Sequence, residues 1–187
     1  MKRVLVEVII AMVFFVAGGL LFWGGHFAHS YVNDQLVAQQ IYFPAKGSAA
    51  LNPAEFPGLQ QYAGQIVNNG PKAKAYANEF IAVHVKGVAG GLTYSQVSTK
   101  AQADPTNTQL ANQANTLFKG ETLRGLLLNA WGWWSVGTIA LIAAFFAFLG
   151  GIALLVAAFF TRPHTHPKVV VPESPEVLAE SKPVTTV

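Results

Sequence analysis

The chain contains no cysteine. That excludes disulfide staples, a CxxC redox pair, thiolate metal ligands and a lipidated cysteine anchor. Charge is also scarce: 11% of the 187 residues are Asp, Glu, Lys or Arg, against roughly 25% in ordinary soluble domains. The net charge is only +3 and the basic residues are scattered. With no Lys/Arg stripe interleaved with aromatics, nucleic acid is not an expected partner. β-Branched runs are few between 26 and 124, so neither a strand nor an internal repeat is expected there. No paired acids in helical register and no activated nucleophile stand out, so an enzyme is not the expected reading.

What the chain does have is apolar length, with 52% hydrophobic residues. Residues 136–160 carry no charge, follow Trp131, Trp133 and Trp134, and precede Arg162. At 1.5 Å per residue, about 20 such residues cross the hydrocarbon core of a bilayer. A second apolar run, 4–23, contains a single charge, Glu7. A cleaved signal would fit the small residues at Ala28 and Ser30, but a run of this length favours a retained anchor. Ala11, Gly18 and Gly25 recur every seven residues, a seam of small side chains that lets membrane helices approach closely. Ala140, Ala144, Ala147, Gly151 and Ala158 form a similar seam in the second run, suited to packing within the chain or against another copy. Lys2 and Arg3 precede the first run and no Lys or Arg follows it until Lys46, which places the N-terminus in the cytoplasm. Trp23, Trp131, Trp133 and Trp134 then fall at the outer interface, where indole rings concentrate.

The expected architecture is an all-α membrane protein. It comprises a cytoplasmic N-terminus (1–3), a first transmembrane helix (4–25), an extracytoplasmic helical domain (26–130), a second transmembrane helix (131–161) and a disordered cytoplasmic tail (162–187). Within the domain, Asn52-Pro53-Ala54-Glu55 reads as a helix start, and a further helix is expected from about 57 to 69. Pro71 opens the strongest helix, running to 87 or 88, with Tyr76, Phe80, Val83 and Gly87 on one face and Gly90-Gly91 as the stop. Thr93-x-x-Gln96 and Thr106-x-x-Gln109 are capping boxes, the second leading towards the final span. The domain has few apolar residues and is expected to lean on the membrane helices, on lipid or on a partner. Five prolines between 163 and 183 make the tail a disordered segment.

Four stretches carry a resemblance: Phe56-Pro57-Gly58-Leu59-Gln60-Gln61-Tyr62-Ala63, Ala73-Lys74-Ala75-Tyr76-Ala77-Asn78, Ala89-Gly90-Gly91-Leu92-Thr93-Tyr94-Ser95-Gln96-Val97 and Phe118-Lys119-Gly120-Glu121-Thr122-Leu123-Arg124-Gly125. Over residues 56–148 the chain resembles a group of small, uncharacterised actinobacterial membrane proteins, which implies two spans and no established activity. Some members carry the label of an aromatic ring-opening dioxygenase. Such chemistry uses non-haem iron held by two histidines and a carboxylate, and that spacing is not found in this sequence.

The candidate sites are few. His26 and His29 share a helix face at the outer end of the first span and, with His84, could hold a metal or haem. Against this, no acid stands at a reinforcing spacing, and an interfacial histidine is more simply an amphipathic side chain. Glu79 and His84 diverge by about 140° on a helix, too far for a proton-transfer couple. Lys119, Glu121 and Arg124 form a charged cluster before the second span, suited to an ion pair or to docking on lipid headgroups or a partner, with Gly120 and Gly125 as a possible hinge. Glu7, one turn into its helix, is expected to reach the interface or pair with Lys2 or Arg3. In the tail, His164 and His166 make a poor metal site alone, and Thr185-Thr186-Val187 is similar to termini captured by PDZ domains. The reading that follows is a non-enzymatic accessory or assembly subunit of a larger envelope complex, self-associating or bound to a membrane-protein partner. The alternative is a membrane-anchored extracytoplasmic protein that binds haem, metal or another ligand. No cofactor is assigned.

Overall fold

The computed structural model describes residues 2–161. The tail readings, including Arg162, His164, His166 and the final Thr185-Thr186-Val187, lie outside the described residues. Two long helices dominate: α1 (Lys2–Ala38) and α5 (Thr108–Phe160). Their 37 and 53 residues correspond to about 55 and 80 Å of helix. Both are long and apolar enough to cross a membrane, yet only 11% of the most apolar stretch of each is buried within the protein. Neither is therefore the core helix of a water-soluble domain. Leu5, Met12, Val16, Leu20, Ile139, Phe146 and Phe159 all point outward, an apolar surface far larger than a soluble monomer leaves to water.

The two helices pack antiparallel along a seam of small residues. On α1, Ala11, Gly18 and Gly25 are buried, followed by Ala28, Val32 and Leu36; on α5, Gly137, Ala144, Gly151 and Ala158 are buried. Ala140 and Ala147 lie half-buried beside the seam. Both sets recur every seven residues, the period that keeps one face of a straight helix on its partner with a left-handed supercoil. The approach is closest at Gly25. A Cβ there would stand 2.7 Å from Leu141 Cγ and 2.8 Å from the Gly137 carbonyl oxygen. Gly18 and Gly151 receive the rings of Phe148 and Phe15, each 3.0 Å from where a Cβ would be. At the end of the hairpin where α1 begins and α5 ends, Arg3 Nε donates to Glu7 Oε1 at 3.0 Å and the Thr161 hydroxyl donates to Glu7 Oε2 at 3.1 Å. Glu7 thus pairs with Arg3 and also ties α1 to the last residue described.

Residues 39–107 connect the helices through short elements: 3₁₀ turns at Ala49–Leu51 and Pro57–Tyr62, α2 (Gly70–Ala75), a π-helical turn (Tyr76–Ile81), α3 (Ala82–Val88) and α4 (Tyr94–Ala103). Thr93 caps α4 with a complete capping box on Gln96. Gly90 and Gly91, with φ of +58° and +89°, end α3, and the Gly91 N–H donates to the Lys86 carbonyl at 2.9 Å as in a Schellman stop.

Four local expectations are corrected. Asn52 starts a tight turn, its Oδ1 accepting from the Ala54 N–H at 3.0 Å. No helix runs from 57 to 69. One 3₁₀ turn ends before Gly64 (φ +71°), and the chain then pairs Ile66 with Tyr42 in an isolated bridge. The cap of α5 is Asn107, whose side chain accepts from the Leu110 N–H, while the Thr106 hydroxyl turns to Asp104. Finally, the π turn inserts an extra residue, so the aromatic ridge continues from Tyr76 and Phe80 to His84, leaving Val83 and Gly87 exposed.

The core of this region is Phe43, Leu51, Phe56, Leu59, Val67, Ala73, Ala77 and Ile81, completed by Val32 and Leu36 from α1 and Leu127 from α5. A smaller cluster of Ala89, Val97 and Leu117 fixes α4 onto the far part of α5. The helix α5 runs unbroken through Gly120 and Gly125. Gly120 provides close approach for Val85, which a Cβ would overlap, so it serves as a contact point.

The seam makes a direct prediction. A Cβ built on Gly137 lies 3.0 Å from Ala28 Cβ and 2.8 Å from His29 Cδ2, so a disulfide, whose Cβ atoms stand about 3.8 Å apart, requires the helices to part slightly at this point. The double variant Ala28→Cys/Gly137→Cys is expected to close an intramolecular disulfide on mild oxidation, seen as a reducible gel shift against a cysteine-free background. Absence of the bond would contradict this packing.

Candidate functional site at the helix junction

Where α1 and α5 leave their small-residue seam, polar groups and aromatic rings converge. His29 lies three residues beyond His26, one turn past the closest approach at Gly25. Its ring stacks on Trp134 with centroids 3.9 Å apart and planes 8° from parallel. Nε2 stands 3.0 Å from the Trp134 carbonyl oxygen and 3.1 Å from Thr138 Oγ1. The carbonyl only accepts, so Nε2 donates and carries the proton. The Thr138 hydroxyl donates to the same carbonyl at 3.0 Å.

The other side of Trp134 is filled by the start of α2. A Cβ on Gly70 would overlap Trp134, and Asn69 caps the helix by accepting from the Lys72 N–H at 3.0 Å. Lys72 Nζ in turn donates to Asn68 Oδ1 at 3.0 Å, and Asn33 Nδ2 on α1 donates to the Asn68 carbonyl at 2.9 Å. Next to this, Lys74 Nζ lies 4.5 Å from the centre of the Trp131 ring, a cation–π contact. Trp131 and Trp134 are therefore half-buried working parts of the junction, whereas Trp23 and Trp133 are exposed.

The three histidines do not meet. His26 is exposed and packs edge-on against Phe22, with centroids 4.6 Å apart. His84 Nδ1 lies 2.8 Å from the Phe80 carbonyl oxygen, and its ring stacks on Phe56 at 5.6 Å. Among the described residues no three of His, Asp and Glu converge as metal ligands would. The ring beside His84 extends through Phe80, Tyr76, Phe43 and Tyr62. Burial pushes the Tyr76 hydroxyl above its ordinary value, so it stays neutral at physiological pH.

The charged cluster divides. Arg124 donates to Glu121 Oε2 at 3.2 Å and to Asn78 Oδ1 at 3.3 Å, bracing α5 against the π turn. Its Nε is buried without a hydrogen-bond partner among the described residues. Lys119 is exposed, with no ion pair among the described residues, and follows Phe118, which pairs with Tyr94 at 5.7 Å between ring centroids. Phe118 is 54% exposed.

On the face of the hairpin that carries Tyr31 and Trp133 lies a groove of about 470 Å³ between α1 and α5, walled by Leu20, Leu21, Gly24, Phe27, Val136 and Ala140. Tyr31 and Trp133 stand at its mouth and are shared with a second hollow of about 360 Å³, where Gln35, Gln39 and Asn129 join Leu123 and Leu126. Trp23, Phe27 and Tyr31 stack in succession along one edge at 5.7 and 6.0 Å.

Several of these residues were not singled out in the sequence. Gly137 has a signal in retrospect, because it begins the heptad that continues through Ala144, Gly151 and Ala158. Gly70, Thr138 and Gly24 carry none, since their roles come from partners distant in the chain. Comparison with known protein families, with curated proteins and with solved structures finds no match.

The junction predicts graded losses of stability. Replacing Trp134 with Ala removes both the stack on His29 and the partner of Gly70, and is expected to cost about 3 kcal/mol, the low end for large aromatic truncations because the ring is half-buried. His29→Leu is expected to cost about 1 kcal/mol more than His29→Gln, which retains a donor for the Trp134 carbonyl. Thermal unfolding in detergent measures both. Equal behaviour of the Leu and Gln variants would remove the hydrogen bond from the account.

Proposed function

We propose that the chain is a non-enzymatic two-pass membrane protein, with cytoplasmic termini and residues 26–130 on the outer side, serving as an accessory or assembly subunit of a larger cell-envelope complex. The placement draws support from Lys2 and Arg3 at one end of the hairpin and from the tryptophans grouped near the other. Retention of the first span fits the packing of Ala28 and His29 against Gly137, since cleavage there would strip α5 of its partner.

The observation that carries the accessory reading is the exposed Tyr94–Phe118 pair with Lys119 beside it. Phe118 lies 13 residues before Trp131, where the second span begins, about 20 Å along α5, and therefore beyond the stretch that lipid would cover. Exposed aromatic side chains are enriched at protein–protein interfaces and among their hot spots. The brace of Arg124 on Asn78 and the seat of Gly120 on Val85 hold this surface at a set height above the bilayer. The partner surface it suits is apolar with a carboxylate at its edge. The second reading, a membrane-anchored ligand-binding protein, draws support from the groove between the spans.

Affinity purification from native membranes in mild detergent, with mass spectrometry of what co-elutes, tests the accessory reading. A stoichiometric membrane partner is expected, retained at least about tenfold less well by Phe118→Ser, a loss of roughly 1.4 kcal/mol. Elution of the wild type alone would overturn it. The intact mass of the same preparation is expected to include residues 1–30; a species beginning near Ser30 would make the first helix a cleaved signal.

A further inference from the structure

We propose that the hollow over Trp131 is a headgroup site for a zwitterionic phospholipid with a primary amine, of the phosphatidylethanolamine type, in which Lys74 takes the phosphate and Glu79 the ammonium. The inference rests on the membrane placement above and not on the accessory reading.

The site follows from the way the connecting region climbs α5. Gly70 sits on Trp134, Lys74 on Trp131, Asn78 on Arg124 and Val85 on Gly120. Residues 70–85 thus run alongside α5 from 134 to 120, away from the second span. On the proposed placement the base of this ridge stands at the level of the lipid heads, and its upper part stands beyond them. Between the ridge and the Pro57–Tyr62 turn lies a hollow of about 350 Å³, walled by Gln61, Tyr62, Lys74, Asn78, Glu79 and Trp131.

Two features set the charges in this hollow. Lys74 Nζ is held 4.5 Å from the centre of the Trp131 ring, which fixes a cation at the depth where tryptophans meet the interface. Glu79 lies five residues farther along the ridge, about 7 Å farther out at α-helical rise. On a regular α-helix, residues five apart diverge by about 140°. The π turn Tyr76–Ile81 closes i→i+5 bonds and turns less per residue, which narrows that angle. Both side chains line the one hollow, and they make no ion pair with each other.

The order of the charges selects the occupant. From the membrane outward it is cation, then anion. A phospholipid carries its phosphate next to the glycerol, and an ethanolamine head carries its ammonium at the outer end, which is the complementary order. Phosphatidylglycerol has no cation for Glu79. Choline has the positive charge but no N–H to donate to the carboxylate. Lys74 and Glu79 are both exposed, so each contact is modest and screened by salt, and the expected preference is correspondingly small.

The test uses full-length protein in vesicles of equal parts phosphatidylethanolamine, phosphatidylcholine and phosphatidylglycerol. Insertion is checked by flotation, the protein is extracted in mild detergent at low salt, and the lipids it retains are counted by native mass spectrometry. The ethanolamine lipid is expected to be retained about fivefold over the choline lipid, equivalent to roughly 1 kcal/mol. Glu79→Gln is expected to lower the ethanolamine lipid to the choline level and to leave the choline lipid unchanged. Lys74→Gln is expected to lower both, because both carry the phosphate. Glu55→Gln and Lys100→Gln remove exposed charges that line no part of the hollow, and both are expected to match the wild type. Equal retention of the ethanolamine and choline lipids, equal retention of phosphatidylglycerol, or unchanged selectivity in Glu79→Gln would overturn the proposal. So would an equal loss in the control variants. Displacement by soluble phosphoethanolamine at equal concentration would make the ligand a free zwitterion and overturn the lipid assignment. Failure to float overturns the membrane placement and the site with it, whereas flotation without selective retention overturns the site alone.

Discussion

The approach of α1 to α5 at Gly25 and Gly137 is the constraint from which the rest of the structure follows. Two apolar helices in lipid gain nothing by hiding from water, so association depends on backbone proximity and on rings filling the gaps that glycine leaves. Glycine and alanine at every seventh position supply the first, and Phe15 and Phe148 the second. Farther along, the buried positions enlarge. Ala11, Gly18 and Gly25 give way to Ala28, Val32 and Leu36 on α1, and Gly137 gives way to Leu127 and Leu117 on α5. Once water surrounds the pair, apolar burial becomes favourable and larger side chains supply it. On the proposed placement, this change in residue size marks the membrane exit independently of the tryptophans.

The connecting region depends on the same two helices. Its own apolar residues are too few to enclose a core, and Val32, Leu36 and Leu127 complete it. The dependence is reinforced by polar contacts that each cross from one element to another: Asn33 to the Asn68 carbonyl, Arg124 to Asn78, His29 to the Trp134 carbonyl. A region held at so many points is a rigid extension of the hairpin. Docking through its far face would be transmitted to the spans without a flexible tether.

What could be read in the sequence was local or periodic. The apolar runs, the small-residue seams, the capping box at Thr93, the stop at Gly90-Gly91 and the pairing of Glu7 with Arg3 are all decided within a few residues or by a repeating period. The failures share another cause. The segment 57–69 has helix-compatible residues, but the bridge of Tyr42 with Ile66 and the burial of Val67 commit it to an extended path, and neither is visible locally. The π turn shifts the face of the helix after Tyr76 by one residue, which a 3.6-residue template cannot anticipate. His29 was legible as an interfacial histidine with polar capacity; that its partners are Trp134 and Thr138, more than 100 residues away, was not.

The junction and the groove lie side by side, and their polar groups are in opposite conditions. At the junction, His29 Nε2, the Thr138 hydroxyl, Asn33 Nδ2, Asn68 Oδ1 and Lys72 Nζ are bonded to one another or to backbone. Such a site contributes to stability and geometry. Around the rim of the groove, by contrast, the amides of Gln35, Gln39 and Asn129 are exposed and make no hydrogen bond to the described residues. The half-buried groups that bond across the helices therefore belong to the scaffold, and the stack on Trp134 with the bond to its carbonyl assigns His29 to it.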